Sequence, residues 1–170
     1  ELAGRRIAIT GSTGFLGTAL VERLLRCAPD SELVLVVRPG RRGAGRRVER
    51  DILRNDAFER LRADLGADEF AEMADRRITA VAGDVTIDGL GLDEEGRVAL
   101  ASCDLVIHSA AAVSFDSPLD QAVEVNLLGP VRIVQTLAEL GVAPHLVAVS
   151  TCYVAGSRRG AAPEEAVDAS

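Results

Sequence analysis

The stretch IAITGSTGFLGTALVERLL, residues 7–25, joins a short apolar strand, a glycine-rich turn and a helix. Its glycines lie three residues apart: the first permits a tight turn, the second lets backbone approach a pyrophosphate, and the third lets the helix pack close to the sheet. The helix start then offers free N–H groups to phosphate. Glycine also serves ordinary turns, but the strand–turn–helix context predicts a dinucleotide site. The predicted contacts are Thr10, Gly11, Thr13, Gly14, Phe15, Leu16 and Gly17.

The rest of the chain alternates strands with helices. Apolar runs predict strands at 33–37, 78–84, 104–111 and 145–151, and helical spacings predict helices at 13–27, within 48–65 and at 119–140. This alternation predicts an α/β, Rossmann-like, doubly wound parallel sheet with helices on both faces. On the first helix, the core side is expected to hold Phe15, Leu16, Ala19, Leu20 and Leu24.

The domain organisation follows from the strand count. Because such a sheet normally has a sixth strand, we expect this one to be truncated before the last strands. Residues 1–156 are expected to form an incomplete NAD(P)-binding domain with a helical insertion at about 41–76. Residues 157–170 are expected to be a polar tail that leads to a missing catalytic and substrate-binding part.

Composition restricts the class of protein. A chain of 170 residues with 48% hydrophobic residues can form a core, and its net charge of −7 argues against general nucleic-acid binding. No apolar run is long enough to span a bilayer, and early glycines argue against a signal peptide. Cys27, Cys103 and Cys152 lack metal-type spacing, so we expect no metal site and reduced core thiols of a cytoplasmic protein.

One basic cluster stands out in this acidic chain: five arginines within ten residues, Arg38, Arg41, Arg42, Arg46 and Arg47. Such clusters are usually solvated loops. Here, however, Arg38 follows the second strand, where an acidic residue would bind the 2′-OH of NAD. A guanidinium suits the 2′-phosphate of NADP instead. The cluster therefore predicts NADPH, bound first by Arg38, with Arg41 and Arg42 as less secure contacts.

Further candidates follow the third and fourth strands. Asp84 and Val85 are expected to border the adenine, the alternative being a plain strand-ending turn. Ala110 and Ala111 have small side chains that let a cofactor pass close to the backbone, although alanine is also common core filler. His108 lies within an apolar strand and is expected to be a satisfied core histidine.

Taken in order, six motifs resemble an extended short-chain dehydrogenase/reductase: TGSTGFLG, VVRPG, GDV, HSAAAVSFD, VNLLGP and VSTCYVAG. Within that superfamily the chain is most similar to fatty acyl-CoA reductases, which are related to the thioester-reductase domains of carboxylic acid reductases. The segments LRNDAFERLRADLG and GDVTIDGLGL carry this narrower likeness, which extends from about Gly4 to Gly156.

The resemblance implies a reaction and two site residues. It implies NADPH-dependent reduction of a fatty acyl-CoA or acyl-carrier-protein thioester to an aldehyde, and in some members to the alcohol. By motif position Thr151, or alternatively Ser150, would hydrogen-bond the acyl carbonyl, unless these hydroxyls merely cap a strand end. Asn126 would hold its backbone carbonyl free for water, because Pro130 has no N–H to bond it; an ordinary helix kink is the alternative.

The resemblance also exposes a gap. The family's catalytic Tyr-x-x-x-Lys pair is absent, since all nineteen basic residues are arginine and the only tyrosine, Tyr153, is followed at the lysine position by Ser157. The 170-residue piece alone is therefore expected to bind cofactor without turnover. An extended sugar-nucleotide or hydroxysteroid dehydrogenase and a non-catalytic NADP-binding regulator remain alternatives. The helical region 48–65 is expected to be an amphipathic helix that covers the core, with a peripheral membrane contact or a carrier-docking element as the alternatives.

Overall fold

A computed structural model, which describes residues 2–165, contains one five-stranded sheet. All neighbouring strands are parallel, and their spatial order is β3-β2-β1-β4-β5. The strands are β1 (Arg6–Thr10), β2 (Glu32–Val37), β3 (Ile78–Ala82), β4 (Leu105–His108) and β5 (His145–Ala148). The strand order reverses direction beside β1, as in a doubly wound sheet, so the predicted Rossmann-like fold is confirmed.

Helical segments make every crossover between strands. The α-helices are α1 (Phe15–Cys27), α2 (Gly43–Val48), α3 (Glu59–Leu65), α4 (Ala67–Arg77), α5 (Glu94–Ala101), α6 (Leu119–Ala122) and α7 (Gly129–Glu139). Two π-helical segments, Glu49–Leu53 and Val123–Leu128, continue α2 and join α6 to α7. Short 3-10 turns are formed by Asp56–Phe58, Asp88–Gly91 and Cys152–Ala155.

The sheet separates two hydrophobic cores. Ile7 and Ile9 of β1 face a core that includes Phe58 from the helices between β2 and β3. Ala8 faces the opposite core, which includes Ile133 of α7. Residues on both faces of β1 and β2 are buried, which explains why these strands read as continuous apolar runs.

Several sequence expectations about packing are wrong. Phe15 is 97% exposed, and Leu16 and Ala19 are exposed too. The buried side of α1 runs instead through Gly17, Val21 and Leu24. Strands β3, β4 and β5 end two or three residues earlier than predicted. Helix α5 was not predicted at all.

The cysteines also differ from expectation. Cys27 and Cys152 are exposed, so they are not core residues; Cys27 ends α1 and Cys152 begins a turn after β5. Cys103 is buried as expected, and burial raises the pKa of its thiol to about 11. The Cys103 thiol is therefore protonated and unreactive at neutral pH.

The domain boundaries stay predictions. The helices from α2 to α4 occupy the range assigned to the insertion, and residues 157–165 form no helix or strand. The remainder of the predicted tail, 166–170, lies outside the described residues, as does residue 1 of the predicted domain. Within 2–165, no helix has the length and apolar character that crossing a membrane requires.

Candidate cofactor site

A cleft of about 290 Å³ opens at the carboxyl ends of the strands, at the point where β1 lies between β2 and β4. This is the topological switch point at which open α/β sheets bind ligands. The cleft brings together nine of the predicted cofactor residues: Thr10, Gly11, Thr13, Gly14, Arg38, Asp84, Val85, Ala110 and Ala111. Its wall does not include Phe15, Leu16, Gly17 or Arg41.

The glycine turn is shaped by close backbone packing. Gly11 has φ +73°, and a Cβ there would lie 2.4 Å from the backbone nitrogen of Ala110. A Cβ on Gly17 would lie 2.1 Å from the carbonyl oxygen of Gly11. Gly11 therefore joins the turn to the β4 loop, whereas Gly17 lets α1 approach the turn from behind, which is why Gly17 does not line the cleft.

The start of α1 has unsatisfied donors that suit a phosphate. Gly14 is the N-cap and supplies no side-chain acceptor to the first N–H groups of the helix. Ser12, which the sequence analysis did not single out, also lines the cleft, and its buried hydroxyl has no hydrogen-bond partner within residues 2–165. The turn thus fits an oxygen-rich, anionic group better than it fits closed protein packing.

The arginine cluster divides into two groups. Gly40 and Gly43 close a tight turn, the Gly43 N–H donating to the Gly40 carbonyl at 3.0 Å, so that Arg41 and Arg42 are exposed at its corner. Arg38 and Arg47, by contrast, both line the cleft.

Arg47 is held in place by two contacts. Its Nη1 donates to the Arg38 carbonyl at 2.7 Å, and its Nε lies 3.3 Å from Asp51 Oδ2. The sequence analysis included Arg47 in the cluster but did not select it, because the loop conformation decides which guanidinium turns back to the cleft.

Asp84, Val85 and Thr86 form the wall beyond β3. Asp84 Oδ1 accepts from the Thr86 N–H at 2.9 Å and from the Thr86 hydroxyl at 2.8 Å. The Asp84 side chain is thereby fixed through one oxygen. The other carboxylate oxygen carries no hydrogen bond from residues 2–165 and is available to a ligand.

The opposite wall follows β4. The Thr10 carbonyl accepts from both the backbone N–H and the hydroxyl of Ser109. His108 is buried, with Nδ1 2.7 Å from the Thr10 hydroxyl, and burial lowers its pKa. His108 is therefore a neutral core residue, as expected, that ties the end of β4 to the end of β1.

The side chain of Asn126 has a structural role of its own, and the role predicted for its backbone carbonyl stays a prediction. Its Nδ2 donates to the Ala112 carbonyl at 2.9 Å, and its Oδ1 accepts from the Ala112 N–H at 2.8 Å. Asn126 lies in the π-helical segment before Pro130, and through this two-point contact it holds the loop that lines the cleft. It does not itself line the cleft.

Replacement of Asn126 by alanine is expected to weaken nucleotide binding several-fold and to lower the free energy of unfolding by about 1–2 kcal/mol, since Ala112 loses two partners. Isothermal titration with NADPH and urea unfolding measure the two effects. Asn55→Ala is the matched control: it removes a side-chain acceptor from the Ala57 N–H, away from the cleft, so stability should fall while binding is unchanged. Equal binding by both variants would contradict the role of Asn126.

The predicted carbonyl-binding hydroxyls follow β5. Thr151 and Ser150 are exposed and lie outside the cleft wall. Thr151 Oγ1 accepts from the Tyr153 N–H at 3.2 Å and so caps the turn that follows. The Val149 N–H donates to the His108 carbonyl at 2.8 Å. This segment therefore continues alongside β4 toward the carboxyl ends of the strands, where the cleft lies.

The chain is similar to known proteins over most of its length. A model of an NAD-binding family described as male sterility protein matches residues 9–170. Fatty acyl-CoA reductase 8 of Arabidopsis thaliana is 33% identical over 168 residues, which cover 96% of this chain and 34% of the relative. The chloroplastic fatty acyl-CoA reductase 2 of the same plant is 32% identical, over 94% of this chain and 26% of its own length.

A solved structure is similar to this chain over nearly its whole length. The terminal R domain of the myxalamid PKS-NRPS biosynthetic pathway superposes with a TM-score of 0.74 at 28% identity, covering 96% of this chain and 39% of that one. The chain spans between about a quarter and a third of the length of these curated relatives.

Proposed function

Because this chain belongs to the NAD-binding family of male sterility proteins, we propose that it forms the NADPH-binding part of a reductase of fatty acyl thioesters. The observation that carries the proposal is the cleft: a glycine turn with unsatisfied donors at the β1–β4 switch point, with two arginines beyond β2. The similarity to fatty acyl-CoA reductases supports the acyl thioester as substrate.

The choice of NADPH rests on charge. Arg38 and Arg47 line the cleft next to the end of β2, where an acidic residue would favour the unmodified ribose of NAD. Two guanidinium groups there suit the 2′-phosphate instead. When bound, NADPH would supply the hydride for reduction of the thioester.

The other cleft residues would orient the cofactor. Gly11 would keep the turn tight and Gly14 would let backbone approach the pyrophosphate. Asp84 and Val85 would border the adenine, and Ala110 and Ala111 would leave room beside β4. Thr151, with Ser150 as the alternative, would hydrogen-bond the acyl carbonyl. Asn126 would hold its backbone carbonyl free for water, and its side chain would position Ala112.

The proposal assigns cofactor binding, but not proton transfer, to these 170 residues. The 170 residues contain no lysine, so they lack the Tyr-x-x-x-Lys pair that the family resemblance requires for proton transfer. We therefore expect this chain alone to bind NADPH without turnover, with the aldehyde formed, in the cytoplasm, only by a polypeptide that also carries such a pair. An acyl-CoA or an acyl carrier protein would deliver the thioester.

The test compares the 170-residue chain with the complete gene product. Both should bind NADPH, and only the complete product should oxidise it when palmitoyl-CoA is added, with a long-chain aldehyde or alcohol detected by mass spectrometry. Reduction of NADP⁺ by a hydroxysteroid or a sugar nucleotide, without thioester-dependent oxidation of NADPH, would replace this proposal by the corresponding dehydrogenase. Binding by the complete product without any turnover would make the protein a regulator.

A further inference from the structure

One side of the helix that follows β2 consists of arginines. Four exposed arginines recur at intervals of four residues along α2 and its π-helical continuation: Arg42, Arg46, Arg50 and Arg54. The apolar residues at the same interval are buried in the core that also contains Phe58: Ala44, Val48 and Ile52. Because one helical turn takes roughly four residues, the offset of two residues places the arginines opposite the core. These four side chains form the arginine face.

A local excess of positive charge surrounds this face. Residues 38–54 contain seven arginines and two carboxylates, and therefore carry a charge of +5 within a chain of net charge −7, so the rest of the chain carries −12. Glu49 pairs with both Arg46 and Arg54, at 2.7 Å and 2.6 Å, so that one carboxylate is shared by two guanidinium groups. The side chains of Arg46, Arg50 and Arg54 are 68%, 72% and 71% exposed. The excess charge is therefore presented to solvent.

The cofactor assigned above uses only two arginines of this segment. Arg38 and Arg47 line the cleft, where they suit the 2′-phosphate. Within residues 2–165, the wall of the cleft includes no member of the arginine face. The face thus stays available to a second anionic partner while the cleft holds NADPH.

The surroundings of the face favour a lipid surface over a protein as that partner. Protein interfaces are built on an apolar core with aromatic anchors. From residue 17 to residue 86, all of which the structure describes, no large hydrophobic side chain is exposed. A planar anionic bilayer needs no such anchor: it attracts the arginine face and repels the acidic remainder, which orients the protein with this face toward the lipid.

We propose that the arginine face is a docking surface for an anionic lipid bilayer. This inference rests on the proposed function for its purpose, because long-chain acyl thioesters concentrate at lipid surfaces, where a docked reductase meets its substrate. The contact is electrostatic, since the apolar residues of the same helix are committed to the core and do not insert into lipid. It is therefore reversible and weakened by salt.

Flotation of the 170-residue chain with vesicles tests the proposal. The wild-type chain should bind vesicles of equal parts phosphatidylcholine and phosphatidylglycerol, and not vesicles of phosphatidylcholine alone. Arg46→Gln, Arg50→Gln and Arg54→Gln together should lower the partition coefficient about 100-fold, at roughly fivefold for each guanidinium. Lysine at the same three positions keeps the charge and should keep binding within about threefold of the wild-type value.

The matched control removes three exposed arginines from other surfaces: Arg23→Gln on α1, Arg76→Gln on α4 and Arg159→Gln after β5. The control changes the net charge by the same amount, but these charges lie away from the arginine face. Vesicle binding by the control should therefore stay within about threefold of the wild-type value, because the attraction falls off within a Debye length. Thermal unfolding and NADPH titration should be unchanged in both glutamine variants.

The failures of the two proposals are distinguishable. A wild-type chain that binds NADPH but not anionic vesicles overturns the docking surface alone, whereas one that binds anionic vesicles but not NADPH contradicts the proposed function. Equal losses in the glutamine variant of the face and in the control would reduce the effect to net charge and overturn the assignment. Binding to an acyl carrier protein in place of any vesicle would replace the lipid by an acidic protein. Arg50→Gln alone serves if the triple variant does not fold, and should weaken vesicle binding roughly fivefold.

Discussion

Replacement of Arg77 by alanine is expected to lower the free energy of unfolding by about 3–5 kcal/mol, because several buried hydrogen bonds from one charged group, each contributing about 1.5–3 kcal/mol, are lost together. Arg77 ends α4 but is 8% exposed, and its guanidinium reaches the end of α1. It donates to the carbonyls of Leu25 at 2.7 Å, Ala28 at 2.7 Å and Ser31 at 2.8 Å. Alanine would take the charged donor from all three carbonyls, of which that of Ala28 keeps the Ser31 hydroxyl and N–H, and would leave a cavity beside them.

Urea unfolding of two further variants isolates this effect. Arg76→Ala removes the exposed neighbouring arginine and should change stability by less than about 0.5 kcal/mol. Arg77→Lys keeps the charge but not the planar fork, and should recover only part of the loss. If Arg77→Ala and Arg76→Ala had equal stabilities, the guanidinium would not be what holds α4 to α1.

Arg77 shows where sequence reasoning ended. The strand–turn–helix of residues 7–25 could be predicted, because glycine spacing and an apolar run are local signals. Nothing local distinguishes Arg77 from Arg76, since both stand in the last turn of an amphipathic helix. Its burial depends on the end of α1, which is more than 45 residues away in the sequence.

The predictions for α5 and for Phe15 were wrong for related reasons. Gly96 within α5 lowers the helical signal, yet a Cβ there would lie 2.9 Å from a methyl group of Val81, so packing against β3 requires the glycine. Phe15 fits the apolar pattern of α1, yet the close approach of Gly17 to Gly11 rotates the buried side of the helix away from it. In both cases tertiary packing overrides the local pattern.

Removal of the two arginines that line the cleft is expected to abolish discrimination between NADPH and NADH. Charge-assisted hydrogen bonds contribute about 1.5–3 kcal/mol each, so Arg38→Ala and Arg47→Ala should each weaken NADPH binding by roughly 10–100-fold. Affinity for NADH, which lacks the 2′-phosphate, should stay within about threefold, because a neutral 2′-OH makes no comparable charged contact. Titrations of both cofactors with each variant, at fixed ionic strength, measure the ratio.

The arginine cluster supplies its own control. Arg41→Ala combined with Arg42→Ala also removes two positive charges, but from the exposed corner of the Gly40–Gly43 turn, which lies outside the cleft wall. If the 2′-phosphate is held by specific guanidinium contacts, this variant retains the preference for NADPH. If the cluster acts only through its summed field, both double variants lose the preference equally, and added salt reduces it in the wild-type chain to the same extent. Because Arg47 also donates to the Arg38 carbonyl, the losses in Arg38→Ala and Arg47→Ala should not be additive, and a double-mutant cycle on NADPH binding measures that coupling.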